Sequence, residues 1–135
     1  MKQQITFALT LFLMIAGFSS CKKEDQNSNK SKLTGTWKVS RIETMAPGTE
    51  TTNYTGVSSD SFEFRSNDED EVVANLKSTS SVGNYTVLEG TGLNMTIFGK
   101  VIVGDISTIT DTDLVYRGTV QGSSPVITET YYFTR

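Results

Sequence analysis

Between residues 61 and 134 apolar and polar side chains alternate with a period of two, and no long segment sustains the 3.6-residue period of a helix. Phe62 and Phe64 alternate with Glu63 and Arg65, while Val72, Ala74 and Leu76 alternate with Val73, Asn75 and Lys77 after an acidic turn at 67–70. Tyr85 to Leu88 follow Gly83-Asn84, and Leu93, Met95 and Ile97 follow Gly90-Thr91-Gly92. Phe98-Gly99-Lys100 turns into a longer run, Val101 to Thr110, apolar on both parities, which predicts a bend or bulge near Gly104. Asp111-Thr112-Asp113 and Gly122 to Pro125 set off the last two runs, 114–120 and 126–134. A first strand over 35–43 and a weakly marked one near 51–57 bring the count to eight or nine. Short strands at this regular spacing predict an all-β chain, closed as a barrel or stacked as a sandwich.

The N-terminal part reads differently. Residues 22–31 contain no apolar side chain, so they bury too little surface to offset their ordering entropy, and 21–31 is predicted to be a flexible linker. The 104 residues from 32 to 135 suit one domain with one core and are too few for two. They carry 8 Lys plus Arg against 13 Asp plus Glu, a net charge of −5. An acidic body does not suggest nucleic acid or an anionic membrane face as partner. The single cysteine, Cys21, lies outside this body and there is no histidine, which removes disulfides, the usual zinc and copper ligands, and every Ser-His or Cys-His nucleophile pair.

Cys21 stands where an apolar segment gives way to a charged one. Lys2 supplies a positive start, Ile5 to Ala16 an apolar stretch of 12 residues, and Gly17-Phe18-Ser19-Ser20 the small residues before the thiol. Twelve residues fall short of the roughly 20 that span a bilayer. The arrangement resembles a bacterial lipoprotein signal with its lipobox, with Phe18 where leucine is commonest. The resemblance implies that residues 1–20 are a signal peptide, that Cys21 receives a diacylglycerol, and that its new amino terminus is acylated, as with palmitate. It also implies an outer-membrane address, because Lys22 rather than aspartate follows the cysteine. Lys22-Lys23-Glu24-Asp25 looks like the lysine-plus-two-acids signal that carries some lipoproteins to the cell surface; a solvated linker is the alternative.

Leu33-Thr34-Gly35-Thr36-Trp37-Lys38-Val39 resembles the L-x-G-x-W opening of lipocalins and of lipocalin-like domains, and Ile109 to Tyr116 and Glu129 to Arg135 are similar to the far end of that group. The resemblance implies a single antiparallel β-barrel over 32–135, binding without catalysis and without a cofactor, and a monomer. It gives Trp37 and Arg135 a structural role, the indole at the closed end beneath the guanidinium. The chain is shorter than a secreted lipocalin and lacks its C-terminal helix and disulfides, which argues against a large cavity.

Asp68 to Glu71 lack the alternating ligands and central glycine of a calcium loop and read as a solvated hairpin tip, so no metal site is expected. Phe62, Phe64, Tyr85, Tyr116 and Tyr131 fall on inward faces, where they either fill a small barrel or line an apolar pocket at its mouth. If the end strands pair so that Trp37 meets Phe133, Arg41 meets Glu129, and that inward ion pair could orient the head of a small apolar ligand. A bulge that turns Arg41 outward and puts Ile42 inside is the other reading. Two functions lead: small-ligand capture at the mouth, or a filled scaffold whose loops or edge strand meet another envelope or host protein; a third, hydrolysis by paired carboxylates, finds no acids that the sequence pairs across a cleft.

Overall fold

The computed structural model describes the backbone of residues 23–135 and side chains from residue 28; the expected signal peptide (residues 1–20), Cys21 and Lys22 lie outside the described residues. One helix, α1 (Lys23–Leu33), precedes nine strands: β1 (Gly35–Met45), β2 (Thr52–Thr55), β3 (Ser61–Phe64), β4 (Glu71–Leu76), β5 (Thr79–Val87), β6 (Gly92–Ile97), β7 (Lys100–Ile109), β8 (Asp113–Val120) and β9 (Ile127–Thr134). All pairings are antiparallel, and β9 returns to β1, so eight strands close a barrel with β2 as an additional strand.

Long β1 serves two partners on one edge. Its first half pairs with β3 and its second with β2, while β9 runs along the other edge. Arg41 pairs with Thr55 and Lys38 with Ser61, so the β2–β3 path carries three residues more than β1 between these points. The excess is a small loop pinned by Asp60. Its buried carboxylate accepts hydrogen bonds from the Tyr54 hydroxyl at 2.6 Å and the backbone N–H groups of Val57 and Lys77, each at 3.0 Å. Burial opposes its ionisation, but these donors and the Lys77 charge outweigh it and hold the carboxyl below its ordinary value.

The expected flexible linker is a correction: residues 23–33 form a helix. Its composition does not create a buried face, and the helix is held by its end. Leu33 is buried, Lys30 pairs with Asp70 at 2.7 Å, and Asn29 donates to the Gly90 carbonyl at 2.7 Å. Lys30 and Lys32 in the last turn also complement the helix dipole.

This end of the barrel is sealed. Trp37 is fully buried and its Nε1 donates to the Leu33 carbonyl at 2.8 Å. Arg135 lies over the indole and donates to the Thr34 carbonyl at 2.6 Å. Gly35, at φ 118°, is required here: a Cβ on it would stand 3.0 Å from the Arg135 guanidinium.

Val72, Leu93, Met95, Ile102, Ile106 and Leu114 line the inside with the aromatics, in the alternation read from the sequence. Two strand details differ from expectation. β5 starts at Thr79, six residues before Tyr85, after a two-residue turn in which Lys77 and Ser78 both have positive φ. The register shift in β7 falls between Ile106 and Thr108, whereas Gly104 pairs directly with Gly118.

Candidate functional site

The mouth is the end opposite α1, ringed by the β1–β2, β4–β5, β6–β7 and β8–β9 connections. Just inside it sits Glu129 on β9, 5% exposed. Its Oε1 lies 2.7 Å from Lys100 Nζ and its Oε2 accepts the Tyr131 hydroxyl at 2.5 Å. Lys100 starts β7 and has the parity of inward Ile102, so its stem curls over the rim and spans β8 to reach Glu129. Tyr131 is two residues from Glu129 on the same face, which alternation makes the inner one.

Tyr116 stands beside Tyr131, with ring centroids 6.1 Å apart, and its hydroxyl donates to the Ile102 carbonyl at 3.3 Å. A side chain on Gly118 would collide with that hydroxyl, its Cβ falling 2.6 Å away. Burial, then the charges of Asp105 and Glu129, push the Tyr116 phenol up; burial, then Glu129, does the same to Tyr131. Both phenols therefore act as hydrogen-bond donors.

Below them the interior is packed with rings. Phe62 meets Phe133 at 5.1 Å and Tyr131 at 5.7 Å between centroids, and Phe64 meets Tyr85 edge-on at 5.2 Å. These spacings are those of favourable aromatic pairs in a filled core. Phe64 and Tyr85 lie near the sealed end, where the Tyr85 hydroxyl donates to the Arg65 carbonyl. Tyr116, Glu129 and Tyr131 thus come together near the mouth with Phe62 beneath them, while Phe64 and Tyr85 are remote core residues.

Arg41 is a correction. Val39 pairs with Phe133 and Arg41 with Tyr132, leaving Ser40 as an extra residue in β1. That bulge turns Ile42 inward, 6% exposed, and Arg41 outward. Arg41 lies over the Tyr132 ring at 4.2 Å and pairs with Glu43 at 3.0 Å, so the Arg41–Glu129 pair does not form. Lys100 takes the arginine's place. Its signal was available, since Lys100 shares the parity of Ile102, but its position beside a turn glycine reads as loop.

The described clefts avoid the interior. One of about 270 Å³ lies at the rim beside Asp60 and Leu76, two of about 280 and 360 Å³ lie on the outer face around Arg117, and one of about 430 Å³ lies at the sealed end beside Lys30, Ser31, Thr34 and Ser66. None of these is lined by Phe62, Phe64, Tyr85, Tyr116 or Tyr131. Among the described residues no group of three or more His, Cys, Asp or Glu could hold a metal ion. In the acidic turn, Asp70 pairs with Lys30 and Glu71 with Arg65.

A family model described as a lipocalin-like domain matches residues 33–116, more than half of the chain. The chain belongs to the lipocalin-like domain family. The match begins at Leu33, which seals the barrel, and ends at Tyr116 in β8; β9, with Glu129 and Tyr131, completes this lipocalin-like barrel beyond it. No curated protein and no solved structure matches the chain.

Proposed function

We propose that this lipocalin-like protein is anchored by a lipid on Cys21 to the outer membrane, facing the cell surface, and binds a small apolar ligand at the barrel mouth without catalysis. The observation that carries the ligand is the Lys100–Glu129–Tyr131 cluster, the point where an aromatic interior turns polar. A ligand there places one polar group against Glu129 or Lys100 and lies across the rim, above the fully buried Phe62 and Tyr116. The packed rings limit it to a shallow seat.

A thermal-shift screen of the full chain in detergent against fatty acids and small apolar amines tests this. A ligand at a hundred times its Kd adds about 2.7 kcal/mol to stability. Glu129→Gln should reduce the shift of any compound that binds. The anchor is tested separately: labelled palmitate should enter the protein in a host that processes lipoproteins, and Cys21→Ala should abolish both the label and detergent partitioning.

The packed interior favours a second reading, a filled scaffold that meets another envelope or host protein. A screen without a single stabilising compound would leave that one standing.

A further inference from the structure

The buried half of the mouth cluster is an anion and the movable half is a cation. Glu129 lies inside β9, paired on one side with Gly118 of β8 and on the other with Thr44 of β1, and its side chain is 7% exposed. The Tyr131 hydroxyl donates to its Oε2, and burial, then the Glu129 charge, keeps the proton on that phenol. Lys100 holds Oε1 from the first position of β7, directly after the Phe98-Gly99 turn, and its side chain is 44% exposed.

Lys100 is in effect a tethered ligand. Its ammonium ends a flexible four-carbon stem that crosses β8, whose inner-facing residues at this level are Gly118 and Val120, to reach Oε1 at 2.7 Å. A free ammonium with an apolar group presents the same head to Glu129 and more apolar surface to the rim. The exchange never leaves the buried carboxylate without a counter-ion, and the released lysine head, already half in water, gains solvent and freedom. An anion meets the opposite situation: it draws Lys100 away from Glu129 and stands beside a buried charge of its own sign. The other lysine of the mouth connections, Lys77, is turned to the Tyr54 ring at 4.5 Å. The net charge of −5 over residues 32–135 adds a long-range attraction for cations.

We propose that the mouth selects organic ammonium ions that carry an apolar group, and that Lys100 is a displaceable stand-in that holds Glu129 until one binds. This rests on the reading of the mouth as a ligand site and gives that ligand its charge.

Phenethylammonium, titrated into the isotopically labelled full chain in uncharged detergent micelles, tests it. Binding with a Kd below about 1 mM, with amide shifts centred on Lys100, Val120 and Glu129, is the expected result. Hydrocinnamate and hydrocinnamyl alcohol, which match the probe in size without its positive charge, should bind about tenfold or more weakly, and Glu129→Gln should weaken the ammonium by as much. Lys100→Met removes the competing head and should tighten the ammonium about threefold or more, in a protein whose thermal unfolding midpoint the amine raises further than the parent's. Equal or tighter binding of hydrocinnamate, or an affinity for the ammonium that Lys100→Met leaves unchanged or weakens, would overturn the proposal while leaving a ligand at the mouth. Absence of ammonium binding, or shifts elsewhere on the barrel, would overturn it too; the mouth reading itself falls only if the wider screen is also empty.

Discussion

The guanidinium of Arg135 lies over the indole of Trp37, 3.9 Å from the ring centroid, and ties the end of β9 to the start of β1. Each is held in turn by the α1–β1 junction, Trp37 by the Leu33 carbonyl and Arg135 by that of Thr34. Trp37→Ala opens a large cavity in a fully buried site and should cost about 3 to 5 kcal/mol. Arg135→Ala should cost less, about 1 to 3 kcal/mol, from the lost cation–π contact and hydrogen bonds. Urea titrations followed by far-UV circular dichroism check both. A Trp37→Ala protein as stable as the parent would contradict this packing.

The mouth cluster predicts a coupling. Lys100→Met leaves the Glu129 carboxylate, 7% exposed in its side chain, with Tyr131 as its remaining donor. Because the lysine is itself half-exposed, the cost should be only about 1 to 2 kcal/mol. Glu129→Gln keeps an acceptor for Tyr131 and removes the charge, so Lys100→Met should cost much less in that background. A double-mutant cycle measures the difference, and additive effects would mean that the pair contributes nothing to stability.

Asp60 predicts an acid-sensitive part of the stability. Its folded-state pKa lies below the ordinary 3.8, so its contribution is fully present above the unfolded value and is lost as pH falls through the folded one. Asp60→Asn turns N–H donors of the amide toward groups that already donate, and should cost about 2 to 4 kcal/mol at pH 7. The gap between parent and variant should stay constant from pH 7 to about 5 and narrow below about 4, the unfolded carboxylate range. Unfolding midpoints across that series check it; a gap that widens on acidification would contradict the hydrogen bonding described.

Strands whose inner residues are large and apolar were legible: β3, β4, β6, β8 and β9 begin and end within a residue or two of the alternating runs. β5 was half hidden because Ser81 and Gly83 fill inner positions on its first stretch, while Val82 points out and is 64% exposed. Gly83 is there for close approach, since a Cβ would fall 1.7 Å from the Thr96 carbonyl oxygen. The inner aromatics and Glu129 were identifiable from parity, but the partner of Glu129 was not. One bulged residue, Ser40, inverts the parity of everything after it in β1, and no local pattern marks a bulge in Lys38 to Ile42. Asp60 was missed for a related reason: an acid before a strand reads as turn, and its burial depends on donors from two distant segments.

Helix α1 offers the last prediction, because its residues have no apolar face and yet its end is docked. A chain starting at residue 23 retains the Lys30–Asp70 pair, the Asn29–Gly90 hydrogen bond and the Lys30 carbonyl that accepts from Thr34; one starting at residue 32 loses all three. The ion pair is partly exposed and contributes at most about 1 kcal/mol, and each hydrogen bond about 0.5 to 1.5 kcal/mol. The shorter chain should therefore keep the barrel, since Leu33, Trp37 and Arg135 remain, but be less stable by about 1 to 4 kcal/mol. Asp70→Asn in the longer chain should reproduce only the ion-pair share of that loss. Denaturant titrations of the three proteins under one buffer decide it. Equal stability of the two lengths would show that the helix end is a bystander, and a disordered spectrum from the shorter one would show that α1 is part of the folding unit.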